Sequence, residues 1–219
     1  MASIRTNSAV RGISGKSGDT HYAETPLGTQ WKNNPINTAP PTPAQLQSRA
    51  RLRKVGAAFR ALTPAQHLAW STYALTVTTH TKGGKAVSPS TYNAFVAVSS
   101  KFSQVNPTLP LPTLPPPAAF EGDTLIVYSR AEETDIFLVS TSGNTPNVIT
   151  ELMLQPLANE FRKPQKRDYV SRAFGAFQAG GSEIGVTVVP GAYAVAYRFV
   201  NNATGQEAEI VPVGTVVIV

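Results

Sequence analysis

The sequence predicts a mixed α+β protein of several domains, and three observations carry that prediction. Three helix starts follow a polar N-terminal stretch, which predicts a small helical unit. A proline-rich, uncharged segment then separates this unit from short β-rich runs, which predict a sandwich. The predicted order is an extended arm over residues 1–41, a three-helix basic domain over 42–105, a proline-rich linker over 106–118 and a β-sandwich over 119–219.

Residues 1–41 are expected to form an extended arm. The segment is rich in Gly, Ser, Thr, Asn and Pro and shows neither helical nor strand periodicity, so we expect it to be disordered on its own. It is more apolar than a linker needs to be, which predicts that it becomes ordered by lying on another surface; a floppy tail is the alternative. The expected anchors on that surface are Tyr22, Leu27, Trp31 and Ile36.

Three helices are predicted from their first residues. Thr42-Pro-Ala-Gln45 and Thr63-Pro-Ala-Gln66 each place Thr at the N-cap, Pro at the first helical position and Gln three residues after the cap, which is the capping-box arrangement. Ser88-Pro89 predicts the third start, after a loop or small hairpin. Helical spacing predicts these buried faces: Leu52, Val55, Phe59 and Leu62; Leu68, Trp70, Tyr73, Ala74 and Val77; and Tyr92, Phe95, Val96, Ser99 and Phe102.

The second half of the chain follows six prolines within residues 106–118. Because proline fixes φ and has no amide hydrogen, we expect this piece to be a semi-rigid polyproline-like spacer. Beyond it, β-rich runs bounded by turn residues recur at the spacing typical of a β-sandwich. Seven strands are predicted: 124–129, 135–140, 148–154, 169–177, 184–189, 192–200 and 209–219.

Charge is distributed unevenly along the chain. The ninety-six residues from Thr25 to Phe120 contain no Asp or Glu and nine Lys or Arg, so residues 1–119 carry a formal +10 and residues 120–219 carry −4. A stretch of that length in an average protein would hold about a dozen acids. The basic half is therefore expected to lie against a negative surface: nucleic acid, an anionic membrane, or the acidic face of a protein partner or of another copy of the chain.

The most basic element is the predicted first helix. Its expected interaction face consists of Arg49, Arg51, Arg53, Lys54 and Arg60. In a nucleic-acid interpretation these cations track phosphates, with Trp70 or Tyr92 as stacking groups. Against this interpretation, both aromatic residues sit at helical spacing, as core residues do. We therefore rank a solvated or protein-facing basic surface above a nucleic-acid contact.

Enzyme chemistry finds little support in the residue types present. The chain has no cysteine, which excludes disulfides, thiolate metal sites and cysteine nucleophiles. Gly15-Lys16-Ser17 ends like a phosphate-binding loop, but Val10 stands where that motif needs its first glycine. His21, His67 and His80 match no metal or triad spacing. We therefore predict that the chain is not an enzyme and has no cofactor, no metal and no small-molecule substrate.

Part of the sandwich region resembles a known domain. The phrase from Val188 to Phe199 alternates large apolar with small or polar residues after a Pro-Gly corner. It looks like the E–F corner and F strand of a fibronectin type III domain, with Tyr193 in the tyrosine-corner position. The region lacks the tryptophan that such domains often bury in the early strands, so a fibronectin type III or immunoglobulin-like sandwich is expected and its topology stays open.

A second resemblance covers roughly Arg11 to Phe102. The chain resembles a loose group of uncharacterised phage- and prophage-encoded proteins in several phrases: Arg11-Gly-Ile-Ser-Gly-Lys-Ser-Gly18, Thr29-Gln-Trp31-Lys, Thr42-Pro-Ala-Gln-Leu-Gln-Ser-Arg49, Leu62-Thr-Pro-Ala-Gln66 with Trp70 and Tyr73, and Tyr92-Asn-Ala-Phe95. Proteins of that group typically end in a fibronectin-like or related sandwich. The resemblance implies membership of a virus particle and brings no activity and no catalytic residues with it.

The predicted function is that of a phage virion structural protein, in the capsid, its decoration, or the neck and tail. Its expected partners are other virion proteins, among them copies of itself, bound through the arm and the basic helical half. The alternative is a nucleic-acid-binding virion protein that contacts the packaged genome through the basic helix, and a host-surface adhesin using the sandwich loops is a third hypothesis. Since no signal-peptide h-region or membrane-length apolar run is present, we expect the chain to be made in the host cytoplasm, to enter the virion and to bind no membrane.

Overall fold

A computed structural model describes residues 3–4, 15–17, 20–25, 28–33, 39–80 and 85–218 of the chain. Within these ranges the protein is mixed α+β, as predicted, with three α-helices and antiparallel sheets. The chain divides into two compact units, Met1–Leu46 and Gln47–Val219. No helix in the described ranges is long and apolar enough to cross a membrane.

The N-terminal unit differs from the extended arm that the sequence predicts, because its described strands form an antiparallel sheet. The strands are β1 Ser3–Ile4, β2 Gly15–Ser17, β3 Thr20–Thr25 and β4 Gly28–Asn33, in the order β1-β4-β3-β2. The central pair extends from Thr25 opposite Gly28 to Thr20 opposite Asn33. Pairing uses backbone hydrogen bonds, which polar strands form as well as apolar ones. A search for alternating apolar residues therefore misses this sheet.

The first two helices begin where their capping boxes predict. They are α1 Pro43–Arg60 and α2 Pro64–Thr76. At α2 the Thr63 hydroxyl accepts the Gln66 amide hydrogen at 3.3 Å, and the Thr63 amide donates to the Gln66 side-chain oxygen at 2.8 Å. Thr42 and Gln45 exchange the same two bonds at α1. Both helix starts are therefore fixed by local sequence.

The third helix, α3, spans Thr91–Val105 and starts slightly later than predicted. Ser90 rather than Ser88 is its N-cap, because the Ser90 hydroxyl accepts the Asn93 amide hydrogen at 3.2 Å. Before it lies the expected small hairpin, made of β5 Thr79–His80 and β6 Ala86–Val87.

A compact apolar core joins the three helices. Its buried members are Val55, Leu62, Trp70, Phe95 and Val98. Three residues assigned to buried faces are instead exposed: Leu52 on α1 at 49%, Leu68 on α2 at 69% and Tyr92 on α3 at 44%. The apolar faces read from the sequence are wider than the neighbouring short helices can cover, so residues at their margins stay in solvent.

The proline-rich segment, expected to act as a spacer, packs against the helices. The Trp70 indole nitrogen donates to the Thr113 carbonyl oxygen at 3.0 Å, and the Lys54 ammonium donates to the Pro107 carbonyl oxygen at 3.2 Å. Leu111 packs on the helical core. Because proline removes amide donors but leaves carbonyl acceptors, the segment is held by side-chain donors that reach it from the helices.

The C-terminal region contains seven strands in two antiparallel sheets, as predicted for a sandwich. They are β7 Tyr128–Glu132, β8 Asp135–Ser140, β9 Val148–Leu157, β10 Val170–Gly175, β11 Ser182–Thr187, β12 Gly191–Asn201 and β13 Val211–Ile218. One sheet has the order β11-β8-β7 and the other β10-β9-β12-β13. The first strand of this region, β7, begins four residues later than predicted. Leu125 and Val127, which precede it, pack on the apolar core without belonging to a strand.

The two sheets share one apolar core. Its buried side chains come from both sheets and include Ile136, Leu138, Leu152, Leu154 and Val195. At the corner before β12 the Tyr193 hydroxyl donates to the Val189 carbonyl oxygen, four residues upstream, at 2.9 Å.

Candidate cationic interface

The candidate interface lies on α1, whose side chains form what we call the cationic face. This face consists of Arg49, Arg51, Arg53, Lys54 and Arg60. The helix buries Val55 and Gly56 against the other helices. Four of the five cationic residues are exposed, and the fifth, Arg51, is half-buried. The amphipathic pattern of α1 thus holds the predicted basic residues at the solvent boundary.

Four of these cations have no acidic partner in the part of the chain that the structure describes. Its ion pairs involve neither Arg49, Arg51, Arg53 nor Arg60. Arg49 and Arg53 are four residues apart on one helix, where like charges cost about 0.2–0.5 kcal/mol. This unbalanced positive charge destabilises the free helix and favours contact with a negative partner.

Lys54 differs from the four arginines, because its ammonium already bonds the Pro107 carbonyl oxygen. It therefore fastens the proline-rich segment as well as adding charge to the cationic face.

The aromatic residues considered as stacking groups are differently placed. Trp70 is fully buried, so its ring has no face for a base. Tyr92 is 44% exposed and lies edge-to-face with Phe59, with ring centroids 5.1 Å apart. Leu52 is exposed on the same helix as the cations. The helix of the cationic face thus offers exposed aliphatic side chains, and the buried Trp70 adds no free ring to it.

The sandwich side of the same unit contains a partly buried four-charge network that the sequence did not predict. The Lys101 ammonium on α3 lies 2.9 Å from Glu151 Oε1 on β9 and 3.0 Å from Glu207 Oε1. Arg198 on β12 completes it, with Nε 2.5 Å from Glu151 Oε2 and Nη1 2.6 Å from Glu207 Oε2. Glu151 is fully buried and Lys101 is 6% exposed. Two cations and two carboxylates therefore neutralise one another.

Opposing influences set the ionisation of Glu151. Burial raises the pKa of its carboxyl, whereas the hydrogen bond from Arg198 and the charges of Lys101 and Arg198 lower it; the pKa ends below its ordinary value of 4.5. A carboxylate held ionised by two cations is a poor proton donor, so its role is to pair charge. Its described ion-pairing hydrogen bonds come from Lys101 and Arg198.

This network lies where α3 packs on the sandwich sheet. Neutral contacts flank it: the Gln104 amide nitrogen lies 3.4 Å from the Ser171 hydroxyl, and the Asn106 side chain donates to the Asn202 carbonyl oxygen at 2.7 Å. Lys101 also lies 5.3 Å from the centroid of the Phe174 ring. Polar contacts thus seat α3 on the sheet β10-β9-β12-β13.

A groove of about 830 Å³ runs between α2, α3 and residues 115–120. Its walls are mainly threonine, proline and apolar side chains, and Glu207 is the one carboxylate among its lining residues. Glu207 is paired with Lys101 and Arg198, and the described lining residues include no second carboxylate and no histidine.

The remaining predicted site residues fall partly outside the described structure. Leu27 and Ile36 lie outside the described residues, and for Tyr22 and Trp31 the strands place only their backbones, opposite each other in register. His67 packs edge-on against Phe59 at 4.7 Å. The described residues contain no group of three His, Cys, Asp or Glu suited to a metal ion.

The structure also shows a second cluster of exposed cations, which the sequence analysis did not identify. It consists of Arg162, Lys163, Lys166, Arg167 and Arg172, all exposed, between β9 and the middle of β10. The signal was available, as five cations within eleven residues, but the net negative charge of residues 120–219 concealed it.

No protein-family model matches the sequence, and no curated protein is significantly similar to it. Function must therefore be argued from the residues and their geometry.

Proposed function

We propose that this chain is a structural protein of a phage virion that binds a neighbouring subunit through the cationic face. The observation that carries the proposal is the set of four arginines on α1 without an acidic partner among the described residues. Charge of one sign on a rigid helix steers a partner of opposite sign and fixes its orientation. The resemblance to phage-encoded proteins supplies the particle context.

A fibronectin type III-like identity for the sandwich is part of the proposal. The two antiparallel sheets, in the orders β11-β8-β7 and β10-β9-β12-β13, support this identity, because such domains are built from two packed antiparallel sheets. The Tyr193 hydroxyl bonded to the Val189 carbonyl oxygen supports it, since a tyrosine corner makes this kind of upstream bond.

A protein partner is favoured over the packaged genome for the cationic face. Leu52 is 49% exposed beside the arginines, and an exposed leucine gains from contact with another protein but not from a phosphate backbone. The buried Trp70 also removes the best candidate for base stacking at this surface.

The acidic partner surface is proposed to lie on another virion protein rather than on the sandwich of a second copy. Six of the eleven acids in residues 120–219 already form ion pairs within the molecule. A sandwich whose carboxylates are largely neutralised offers a weak field to an approaching cationic helix.

The test is particle incorporation of a variant with the four arginines replaced, Arg49→Gln, Arg51→Gln, Arg53→Gln and Arg60→Gln. Lys54 stays, because it bonds Pro107. We expect an unchanged circular dichroism spectrum and about a tenfold lower amount of the protein in purified particles, because the removed charges guide association. The amount is measured by quantitative mass spectrometry of gradient-purified particles.

A charge-matched control removes four cations elsewhere: Arg162→Gln, Lys163→Gln, Lys166→Gln and Arg172→Gln. This control should enter particles as the wild type does. Absence of the wild-type chain from particles would refute the virion role, and normal incorporation of the α1 variant would refute the role of the cationic face.

A further inference from the structure

The connection between β9 and β10 forms a second basic surface, which we call the basic loop and define as residues 158–172. Lys166 pairs with Glu209, and Arg167 Nε lies 3.4 Å from Asp168. The other three cations of the loop, Arg162, Lys163 and Arg172, form no ion pair within the described residues. The loop therefore carries positive charge that the sandwich does not neutralise.

An aromatic ring stands beside two of these free cations. Phe161 is 85% exposed, the largest exposed fraction among the large apolar side chains of the described residues. It directly precedes Arg162 and Lys163. Phenylalanine is normally buried, so a ring that is almost entirely in solvent next to unpaired cations is a candidate contact group.

The loop is fastened at its base, which leaves its tip presented to solvent. The Gln165 amide donates to the side-chain oxygen of Gln155, at 2.9 Å, and Gln155 is 6% exposed on β9. A one-turn helix over Lys166–Asp168 follows, and Lys166 bonds Glu209. Phe161 and its neighbours thus project from a loop that is held in place before any partner binds, which lowers the entropic cost of binding.

We propose that the basic loop binds single-stranded nucleic acid, with Phe161 stacking on a base and Arg162, Lys163 and Arg172 contacting phosphates. Single strands expose base faces that a duplex hides, and non-specific single-strand sites combine aromatic rings with cationic side chains in this manner. The proposal concerns residues separate from the cationic face on α1 and does not depend on the function proposed for it.

An anionic membrane and an acidic protein are two other possible partners of a basic surface with an aromatic ring, and both fit the basic loop less well. An anionic membrane is held durably by several apolar groups or a lipid chain together with basic residues, and this loop offers one exposed ring with Glu160 and Asp168 close in sequence. An acidic protein would be expected to meet a broader apolar centre than a single phenylalanine. Single-stranded nucleic acid uses both the ring and the separate charges.

The experiment measures fluorescence anisotropy of a labelled oligothymidine of about 20 nucleotides, titrated with the full chain. The wild type should bind, and Phe161→Ala should weaken binding about tenfold, as expected for the loss of one stacked base. Ile126→Ala is the matched control, because Ile126 is 82% exposed on the same sandwich without neighbouring cations. Its affinity should equal that of the wild type.

The salt dependence tests the cations separately. Replacing Arg162, Lys163 and Arg172 with Gln should reduce the slope of log affinity against log salt by about 2, since each single-strand phosphate contact contributes about 0.7. In the α1 variant with four Gln substitutions, Phe161→Ala should weaken the affinity for the oligothymidine as much as it does in the wild type. For a duplex of the same length, the wild type and Phe161→Ala should have the same affinity.

Three results would overturn the proposal. They are no binding of the oligothymidine by the wild type at low salt, equal affinities for wild type and Phe161→Ala, and Phe161-dependent binding to phosphatidylserine vesicles without binding to the oligonucleotide. The last result would assign the loop to membranes. None of them bears on incorporation of the α1 variant into particles, so the two proposals fail separately.

Discussion

Glu151 illustrates how single residues of this chain depend on distant ones. Its carboxylate is fully buried, and both of its cationic partners, Lys101 and Arg198, lie about fifty residues away in sequence. Isolating such a carboxylate in the interior costs several kcal/mol, which is why its pKa would rise without them. The surface trio of Arg130, Glu132 and Glu183 has similar distances but is solvated, so it contributes little.

The pH dependence of stability should report on this carboxylate. Its folded pKa lies below 4.5, so its stabilising contribution is complete above that value and is lost as the pH falls through the folded pKa. Urea unfolding at neutral pH should show Glu151→Gln less stable than the wild type by about 3–5 kcal/mol, because the cations lose a buried partner. This difference should shrink as the pH is lowered below 4.5.

Glu132→Gln is the control for that measurement, since Glu132 is 63% exposed and belongs to the solvated trio. Its effect at neutral pH should stay below about 1 kcal/mol. A difference between wild type and Glu151→Gln that is constant from neutral to acid pH would contradict the assignment of an ionised, stabilising Glu151.

At the scale of elements, the packing of α3 on the sandwich depends on a glycine in the connection between β12 and β13. Gly205 has a φ of +84°, and a Cβ there would lie 2.8 Å from Phe102 Cβ on α3. Such a contact is closer than atoms tolerate, so the helix or the loop would have to move. Backbone conformation and close approach therefore both require glycine at this position.

The prediction compares Gly205→Ala with Gly180→Ala. Gly180 has a φ of +93° with nothing within 4 Å of the added Cβ, so the two substitutions share the backbone strain and differ only in the clash. Gly180→Ala should cost about 1–2 kcal/mol and Gly205→Ala about 1–3 kcal/mol more, measured by urea unfolding. Equal losses would mean that α3 does not press on this loop in solution.

At the scale of the whole molecule, the helices and the sandwich of Gln47–Val219 belong to one compact unit. The buried network, the Asn106–Asn202 bond and the proline-rich segment packed on Trp70 all join them. Unfolding the helices alone would take Lys101 away from the buried Glu151 and leave that carboxylate without one of its cations, so separate unfolding of the helices is disfavoured. We expect the unit to unfold as one cooperative body.

Cooperative unfolding can be measured with two local reporters. In a Trp31→Phe background, Trp70 is the sole tryptophan and reports on the helical core, while backbone hydrogen exchange of β12 reports on the sandwich. Both should give the same urea midpoint, as two-state unfolding requires. Loss of the Trp70 signal at clearly lower urea than protection of β12 would mean that the helices form an independent domain.

Local signals account for the parts of the fold that could be predicted. The capping boxes at Thr42 and Thr63 depend on residues three apart, and β8 spans the predicted residues 135–140, which are four consecutive apolar residues between two polar ones. The outward positions of Leu52 and Leu68 could not be predicted, since periodicity defines a face but not how much of it a neighbour covers.

The sequence by itself determined where the first two helices start, how many strands the sandwich has and that the first helix is cationic. All of these depend on side-chain chemistry within a few residues. Only the tertiary structure decided how Lys101, counted with the basic half, joins the carboxylates of the sandwich, and how the expected proline spacer folds back onto Trp70. Such contacts join residues more than forty positions apart, and their free energy depends on burial and distance, which no local pattern specifies.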